Sequence, residues 1–370
     1  MKILQVGKFY PIRGGVEKVM YDLMLGLSER QITCDMLCAS TEDHPAGDIR
    51  LNAYARIFVV PTQVKAAATM LAPAMITKLR EIAKNYSIIH IHHPDPMAAL
   101  ALFLSGYKGK VVLHWHSDIL KQKNLLKLYK PLQSWLIKRA NIIVGTTPVY
   151  VKESSFLASV QHKIDYIPIG VEPILANREK VGILREKFEN KFLIFSLGRL
   201  VEYKGYEYLI KSAKYLDEDC KIVIGGKGPL FNQLQEMIIS ENVSDRVELI
   251  GFVTDEDAHA YFESCDIFVL SSIMKTEAFA IVQIEAMSCG KPIITAHIPE
   301  SGVSWVNKDN ISGIIVEKEN EKQIAQGIIK LKDNKEYYTN LSLGSKDRYI
   351  KHFSRDVMIS KTLSIYTKLV

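Results

Sequence analysis

Two glutamates eight residues apart stand at a predicted junction between a loop and a helix. In the segment Thr276–Met287, Glu277 precedes the helical pattern and Glu285 lies within it. The backbone amides of Phe279 to Val282 would then lie at the helix N-terminus, where unpaired N–H groups and the helix dipole favour a phosphate. We therefore expect Glu277 to accept hydrogen bonds from sugar hydroxyls and Glu285 from ribose hydroxyls. Two glutamates on an ordinary surface helix can share this spacing, so neighbouring segments must support the hypothesis.

Two cations follow a predicted strand earlier in the chain. Arg199 and Lys204 lie in the loop after Phe192–Leu197. Doubly wound sheets bind ligands at the carboxyl ends of their strands, and a guanidinium with an ammonium neutralises a departing diphosphate. The alternative is that both are solvated loop residues.

Histidines cluster at the ends of two further strands. His114 and His116 follow the predicted strand Val111–Leu113, and alternation places both on one side if that strand continues, so they are rival candidates for one site. His90, His92 and His93 resemble metal ligands, but so compact a run more often lines a cleft or packs. We expect no metal site there.

The elements that must position these residues alternate between strands and helices. Short apolar runs bounded by turn signals predict buried parallel strands, and the segments between them have helical spacing. In the first half the predicted strands are Ile3–Val6, Cys34–Cys38, Ile57–Val60, Ile88–Ile91, Val111–Leu113 and Ile142–Val144. In the second half they are Phe192–Leu197, Lys221–Ile224, Val247–Ile250, Ile267–Leu270 and Pro292–Thr295. This pattern indicates two doubly wound α/β domains.

A segment with Pro168, Gly170 and Pro173 interrupts the alternation and predicts a linker near 168–190. We place the first domain at 1–172 and the second at 173–345. The remaining segment, 346–370, has helical character and could pack against either domain; we expect it to cross back to the first.

Composition fits a globular protein of a reducing compartment. Of the 370 residues, 48% are hydrophobic and 24% charged, which suffices for a sizeable core. The start lacks the pattern of a signal peptide, and no apolar run is long enough to span a membrane. The five cysteines match no zinc or thioredoxin spacing. These features predict a cytoplasmic protein.

Positive charge is concentrated in the first half. Residues 1–175 contain 21 Lys and Arg against 13 Asp and Glu, a balance of +8, whereas 176–370 contain 26 against 28, a balance of −2. Part of the excess lies in the basic, amphipathic stretch Ile119–Arg139. It is typical of a solvated helix face, and the alternatives are an anionic membrane surface or a phosphorylated lipid acceptor. No nucleic-acid partner is expected, because no recognised module accompanies the charge.

Common nucleotide-binding motifs are absent. The first predicted strand leads into Gly7-Lys8-Phe9-Tyr10 rather than the dinucleotide fingerprint, and Gly226–Phe231 lacks the third glycine. No phosphate-binding loop of the NTPase type is present. A dehydrogenase and an NTPase are therefore disfavoured.

Several segments together resemble the GT4 family of retaining glycosyltransferases, and the resemblance spans nearly the whole chain. The matching segments are Gly14-Gly15-Val16-Glu17, His116-Ser117-Asp118, the loop of Arg199 and Lys204, Gly226-Lys227-Gly228-Pro229, Gly251-Phe252-Val253 and the pair Glu277 and Glu285. The resemblance implies the GT-B fold, in which two Rossmann-like doubly wound domains face each other across a cleft. It also implies that the second domain binds the nucleotide sugar.

The resemblance assigns roles by position. Arg199 and Lys204 would hold the donor diphosphate, Glu277 would contact the donor sugar, Glu285 the ribose, and His116 would lie beside the reacting centre. The pair Gly14 and Gly15 would let the backbone approach the donor phosphates, because glycine has no Cβ; its alternative is a tight structural turn. The further donor-binding positions are Gly228, Val253, Phe279, Ala280 and Ile281.

One position departs from the family. Ala280 stands where the family usually has glycine. The added methyl group is expected to narrow the sugar pocket without abolishing activity.

The implied activity is transfer, with retained configuration, of a hexose-type sugar from a UDP- or GDP-sugar to a glycan or lipid-diphosphate-linked acceptor. Bacterial surface-polysaccharide assembly is the expected context, at the inner face of the cytoplasmic membrane. Neither a metal nor a cofactor is expected, because Arg199, Lys204 and helix-terminal amides would stabilise the leaving phosphate. Alternatives within the fold are a sugar-nucleotide epimerase and a phosphorylase. A non-catalytic sugar-nucleotide-binding protein is an alternative of a different class.

Overall fold

The chain forms two compact units. The structure is a computed structural model that describes residues 1–41, 44–66, 69–119 and 123–370. The first unit contains Met1–Gly170 and Arg355–Val370, and the second contains Val171–Ser354. The sequence places these divisions at 172/173 and 345/346.

An eight-stranded sheet lies at the centre of the first unit. The strands are β1 (Lys2–Tyr10), β2 (Thr33–Ser40), β3 (Gly47–Arg50), β4 (Arg56–Val60), β7 (Ile88–His93), β8 (Lys110–Trp115), β9 (Ile142–Gly145) and β10 (Ile164–Tyr166), with a separate two-stranded sheet of β5 (Val64–Ala66) and β6 (Thr69–Leu71). The helices are α1 (Gly15–Glu29), α2 (Ala74–Ile82), α3 (Pro96–Ser105), α4 (Lys123–Arg139) and α5 (Pro148–Glu153). The spatial order is β10-β9-β8-β7-β1-β2-β4-β3, and every neighbouring pair is parallel except β3 with β4.

A six-stranded, fully parallel sheet lies at the centre of the second unit. Its strands are β11 (Phe192–Leu197), β12 (Cys220–Gly225), β13 (Val247–Gly251), β14 (Ile267–Leu270), β15 (Ile293–His297) and β16 (Gly313–Glu317), in the order β13-β12-β11-β14-β15-β16. The helices are α6 (Arg178–Lys187), α7 (Tyr206–Ser212), α8 (Phe231–Ser240), α9 (Asp255–Ser264), α10 (Ile281–Ser288), α11 (Val303–Val306), α12 (Glu321–Asp333) and α13 (Lys335–Arg348). The predicted pair of doubly wound, Rossmann-like units is confirmed.

Part of the predicted linker is a helix, so the linker prediction for 168–190 is wrong there. Asn177 caps α6 by accepting from the amide of Glu179 at 3.0 Å. Lys180 ties the helix to α9 through Asp257 at 2.5 Å. Val181 is the only buried residue of α6. The sequence of this helix therefore has almost no apolar periodicity from which it could be predicted.

The chain returns to the first unit at its last helix. After α13 a π-helical turn, Tyr349–Phe353, leads to α14 (Arg355–Leu369). This helix packs on α1, where a Cβ at Gly26 would lie 2.5 Å from Cγ1 of Ile359. Arg355 also pairs with Glu29 at 3.0 Å. Glycine in α1 therefore permits the close approach of the two helices.

Among the described residues, no helix has both the length and the apolar character that a bilayer crossing requires.

Candidate functional site

The second-unit candidates meet at the carboxyl edge of its parallel sheet. Arg199 follows β11, Gly228 follows β12 and Val253 follows β13. Glu277 lies between β14 and α10. Parallel strands end at the same edge, so the topology collects residues far apart in sequence.

Two of these loops pack directly against each other. The amide of Leu200 donates to the carbonyl of Lys227 at 2.9 Å. A Cβ at Gly228 would lie 2.2 Å from the oxygen of Leu200, and one at Gly226 would lie 1.8 Å from that of Gly198. Both glycines are thus required for backbone contact with the loop that carries the exposed Arg199. Val253 contributes to the same packing, because its Cγ2 would meet a Cβ at Gly225 at 2.6 Å.

Lys204 and Glu277 form a buried ion pair. Nζ of Lys204 lies 2.5 Å from Oε2 of Glu277, and the two residues are 8% exposed each. The same carboxylate oxygen accepts from the hydroxyl of Ser272 at 3.0 Å. A charge-assisted pair in this setting holds both side chains in one geometry.

The backbone around this pair is fixed from two sides. Gly205, directly after Lys204, has φ +61° and a hypothetical Cβ 2.4 Å from the oxygen of Ser271. Glycine suits that position because it has no Cβ. The close approach of Gly205 to Ser271 places Lys204 beside the end of β14. On the other side, the hydroxyl of Ser301 donates to the carbonyl of Glu277 at 2.5 Å.

The glutamate motif has the predicted form. Phe279 is buried, Ala280 is the N-cap residue, Ile281 is the first residue of α10, and Glu285 lies one turn further along the helix. As in any α-helix, the first amides of α10 have no partner four residues earlier; that of Gln283 donates instead to the carbonyl of Ala280 at 3.0 Å, and those of Ile281 and Val282 point toward the N-terminal end of the helix. Glu277 thus precedes a helix N-terminus that suits an anion.

Ala280 adopts a conformation that favours glycine. Its φ is +61° and its ψ is 82°, in the left-handed region. Such a backbone costs an L-residue about 1–2 kcal/mol. Where the family usually has glycine, this chain therefore has an alanine whose backbone is strained.

In the first unit, the glycine pair forms the entry to α1. Gly14 has φ +122° and Gly15 has φ +60°, so both occupy conformations that side chains disfavour. Among the described residues, apart from Gly14 itself and its chain neighbours, no heavy atom lies within 4 Å of a hypothetical Cβ on Gly14, so its requirement is conformational rather than steric.

The two rival histidines differ in exposure. His116 follows β8 and is 6% exposed, whereas His114 lies within β8 and is fully buried. Their rings stack at a centroid distance of 4.0 Å. Burial lowers the pKa of His114 to about 3 and holds that of His116 well below the ordinary histidine value, so both rings are neutral.

The loop after His116 is held by Asp118. Its Oδ1 accepts from the indole of Trp115 at 2.8 Å and from the hydroxyl of Ser154 at 2.7 Å. Asp118 is thereby a structural partner of the strand end that carries His116.

Three buried histidines approach one another closely enough to raise the question of a metal. Nitrogen atoms of His90, His92 and His114 lie within 4.8 Å of each other. Their rings, however, are stacked with interplanar angles of 7° to 28°. A metal ion binds in the plane of an imidazole, and stacked rings direct their lone pairs along separate planes, so this arrangement does not suit a shared ion.

The basic stretch forms α4 over Lys123–Arg139. Lys127, Lys130 and Lys138 are exposed, as is Leu128 at 83%. Arg139 instead donates to the carbonyls of Tyr107 and Gly109 at 3.1 and 2.6 Å. Lys121 lies outside the described residues.

Some positions with structural importance were not identified from sequence. Gln5 is fully buried on β1 and contacts His92, and Ser272 contacts Glu277. A polar Gln5 inside the apolar run Ile3–Val6 was the one available signal.

Comparison with known proteins places both units in one family. The sequence profile described as "Glycosyltransferase Family 4" matches residues 13–174, and that described as "Glycosyl transferases group 1" matches residues 182–348. The "O-antigen chain mannosyltransferase C" of Escherichia coli is 29% identical over 374 residues, covering 100% of this chain and 99% of that protein. A D-rhamnosyltransferase of Pseudomonas aeruginosa is 27% identical, covering 96% of this chain and 92% of that protein.

A solved structure supports the same assignment at the level of fold. The crystal structure of Anabaena HepE in complex with UDP superposes with a TM-score of 0.79 at 19% identity, covering 100% of both chains. Matches to both halves, together with the two Rossmann-like units, establish the class. The chain belongs to glycosyltransferase family 4 and is a glycosyltransferase with the GT-B fold.

Proposed function

We propose that this enzyme transfers a hexose-type sugar from a UDP- or GDP-sugar to a glycan acceptor in bacterial surface-polysaccharide assembly. The names of the Escherichia coli and Pseudomonas aeruginosa relatives support this, since they describe mannosyl transfer to the O-antigen chain and rhamnosyl transfer. The UDP in the HepE crystals supports a nucleoside diphosphate as the recognised group.

The observation that carries the proposal is the buried pair of Lys204 and Glu277 beside the N-terminus of α10. A diphosphate bound at that helix end would meet the Lys204 ammonium and the guanidinium of Arg199. Glu277 would contact the sugar, and Glu285 the ribose. Cations and amides fixed before the reaction stabilise the charge that develops as the phosphate leaves.

We infer that the configuration at the anomeric carbon is retained through front-face attack, in which the acceptor hydroxyl approaches as the diphosphate departs. This route needs no protein nucleophile. It needs no metal either, because Lys204, Arg199 and the helix amides supply the positive charge. Binding aligns the donor, the acceptor and the leaving group. This alignment contributes a large share of the rate acceleration in such a reaction.

The acceptor is proposed to be a growing glycan, including one carried on a lipid diphosphate, at the cytoplasmic face of the membrane. The exposed lysines of α4 support this, because they offer positive charge to anionic headgroups. Leu128, exposed among them, offers apolar contact.

A donor screen tests the proposal. The full-length enzyme is incubated with a panel of UDP- and GDP-sugars, with and without glycan acceptors, and released UDP or GDP is quantified in the presence and absence of EDTA. We expect release with one nucleotide class, an α- or β-configuration in the product matching that of the donor by NMR, and turnover nearly unchanged by EDTA.

Other results would exclude parts of the proposal. Conversion of the sugar without release of nucleotide would indicate an epimerase, and tight binding without release would indicate a binding protein. Loss of turnover on chelation, restored by a divalent ion, would overturn the account of leaving-group stabilisation.

A further inference from the structure

A line of hydrogen bonds runs through the interior of the first unit from α1 to His116. Nε2 of Gln5 on β1 donates to the carbonyl of Met20 on α1 at 2.9 Å. Oε1 of Gln5 lies 2.8 Å from Nε2 of His92 on β7. Nδ1 of His92 lies 2.9 Å from Nε2 of His116, just beyond β8.

The direction of every bond in this line follows from its first member. A backbone carbonyl only accepts, so the amide nitrogen of Gln5 must face Met20 and its oxygen must face His92. Nε2 of His92 therefore carries a hydrogen and donates to Gln5. In a neutral ring Nδ1 of His92 is then a lone pair, and it accepts from Nε2–H of His116.

Burial supports the neutral state of both rings. Gln5 and His92 are fully buried, and His116 is 6% exposed. Desolvation holds the pKa of His92 and His116 well below the ordinary histidine value, and neighbouring histidines and Lys8 lower it further. A neutral His116 that donates from Nε2 has its lone pair at Nδ1.

We propose that Gln5 and His92 are positioning residues that hold His116 in the Nε2–H tautomer, so that its Nδ1 accepts a hydrogen bond from a substrate hydroxyl. The inference rests on the proposed function, because it assumes that His116 contacts substrate. His116 suits the role because it is the one member of the Gln5–His92–His116 relay with solvent-exposed surface. Ring orientation and tautomer are commonly fixed in this way by the bond at the other nitrogen.

The relay also links His116 to the glycine entry of α1. Met20 lies on the helix that begins at Gly15, so the carbonyl that orients Gln5 belongs to the same helix as the entry. Gln5, Met20, His92 and His116 all belong to the first unit. A substitution at Gln5 is therefore expected to change His116 from within that unit.

A double-mutant cycle separates positioning from general structural support. Gln5→Met keeps the length of the side chain and removes its donor and acceptor, and it is combined with His116→Ala in the full-length enzyme. Turnover is measured as UDP or GDP release from the best donor of the screen. We expect Gln5→Met alone to lower kcat roughly 10-fold or more, with nucleotide affinity unchanged, and to have no further effect on kcat in the His116→Ala background.

A matched control accounts for damage to the core. Cys38→Ala removes a buried group from the neighbouring strand β2, where the thiol donates to the carbonyl of Phe58 at 3.9 Å. This variant should lose thermal stability but not kcat. Equal loss of kcat from Gln5→Met in both histidine backgrounds would show a purely structural role and overturn the proposal.

Nitrogen NMR of the wild-type enzyme labelled with ¹⁵N-histidine reads the tautomer directly, even if Gln5→Met fails to fold. The signals are assigned by their loss in His92→Ala and His116→Ala. We expect an unprotonated Nδ1 and a protonated Nε2 in both rings, and a protonated Nδ1 on His116 would overturn the relay. If wild type shows this tautomer but releases no nucleotide from any donor, the proposed function fails and the proposed role of the relay fails with it.

Discussion

At the scale of single residues, the central feature is that Lys204 and Glu277 are paired with each other. The sequence suggested separate partners for them, a diphosphate and a sugar. The structure adds a direct contact at 2.5 Å between two buried charges. Removing one member of such a pair leaves the other charge buried without compensation, which is usually far more costly than losing an exposed ion pair.

The two glutamates are expected to fail differently on mutation. Glu277→Gln should lower kcat about 100-fold or more, because the proposed mechanism places this carboxylate near an oxocarbenium-like centre. It should also lower stability by about 3 kcal/mol, because Lys204 loses its partner. Glu285→Gln should instead weaken binding of the nucleoside diphosphate by roughly 1–3 kcal/mol.

Calorimetric titration of UDP and GDP, steady-state kinetics and thermal melts of both variants check this assignment. Added nucleotide should restore part of the melting temperature of Glu277→Gln, since a bound diphosphate would supply an anion to Lys204. Weak nucleotide binding in Glu277→Gln beside normal binding in Glu285→Gln would reverse the roles. Unchanged kinetics and binding in both would refute the motif assignment.

Ala280 provides a test of backbone strain. Ala280→Gly should relieve about 1–2 kcal/mol of left-handed strain and lose about 0.5–1 kcal/mol to the greater freedom of the unfolded chain. The net result should be a stability equal to or up to about 1.5 kcal/mol above wild type. Urea unfolding measures the change. Ala278→Gly, two residues earlier where φ is not positive, is the matched control and should destabilise; equal losses from the two variants would refute the strain.

At the scale of elements, buried histidines are concentrated on β7 and at β8. His90, His92 and His93 lie on β7, His114 lies on β8 and His116 follows it, and burial lowers the pKa of all five. The unfolded chain takes up protons near pH 6.5, whereas the folded first unit resists them. Its stability is therefore complete above about pH 6.5 and falls as the pH drops toward about 3.

We expect the first unit to unfold in mild acid, with each buried histidine adding up to about 1.4 kcal/mol of lost stability per pH unit. Trp115 and Trp135 report this unit by fluorescence in a Trp305→Phe background. His114→Phe should reduce the slope by one proton, because neither ring nitrogen of His114 has a hydrogen-bond partner in the described structure. The exposed residue His162 provides the control variant His162→Gln. An acid-resistant first unit would contradict the assignment.

The sequence predicted elements well where apolar periodicity was strong. All six predicted strands of the first half and all five of the second fall on observed strands, with differences of one or two residues at most ends and of four residues at the end of β1. It missed β16, the small pair β5 and β6, and the four-residue β3 and three-residue β10. The residues of β3 and β10 are only partly buried or exposed. It also missed α6, which attaches to α9 through charged groups. Short or charged elements depend on tertiary contacts that periodicity does not record.

Part of the candidate site was predictable because its residues lie next to strands and helices that the sequence predicts. Glu277, Glu285, Arg199 and Lys204 follow strands or flank a helix, so their common location at a sheet edge follows from topology. The ion pair of Lys204 with Glu277 did not follow, because it joins residues 73 positions apart (277 minus 204). The direction of the hydrogen bonds in the Gln5–His92–His116 relay did not follow from the sequence either, because it depends on the contact of Gln5 with the carbonyl of Met20.

At the scale of the whole molecule, charge is distributed unequally, at +8 for residues 1–175 and −2 for 176–370. The exposed Lys127, Lys130 and Lys138 of α4 belong to the positive part. Changing these three to glutamine should weaken binding to anionic vesicles by roughly 100-fold at low salt, at about 1 kcal/mol per charge. Donor hydrolysis should be unchanged.

Cosedimentation with phosphatidylserine vesicles at two salt concentrations measures the effect. The matched control replaces three exposed lysines of the second unit, Lys308, Lys318 and Lys335, by glutamine. Equal binding by wild type and the α4 variant would leave α4 as a solvated helix face.

The return of α14 to the first unit has a consequence for biosynthesis. The second unit is continuous in sequence, from Val171 to Ser354, so all its parts have been translated before α14 begins. The first unit, although it emerges first from the ribosome, lacks the helix that packs against Gly26 until Arg355–Leu369 has been made. The nascent chain therefore carries an uncovered surface on α1 throughout synthesis of the second unit, and the unit that starts first is completed last.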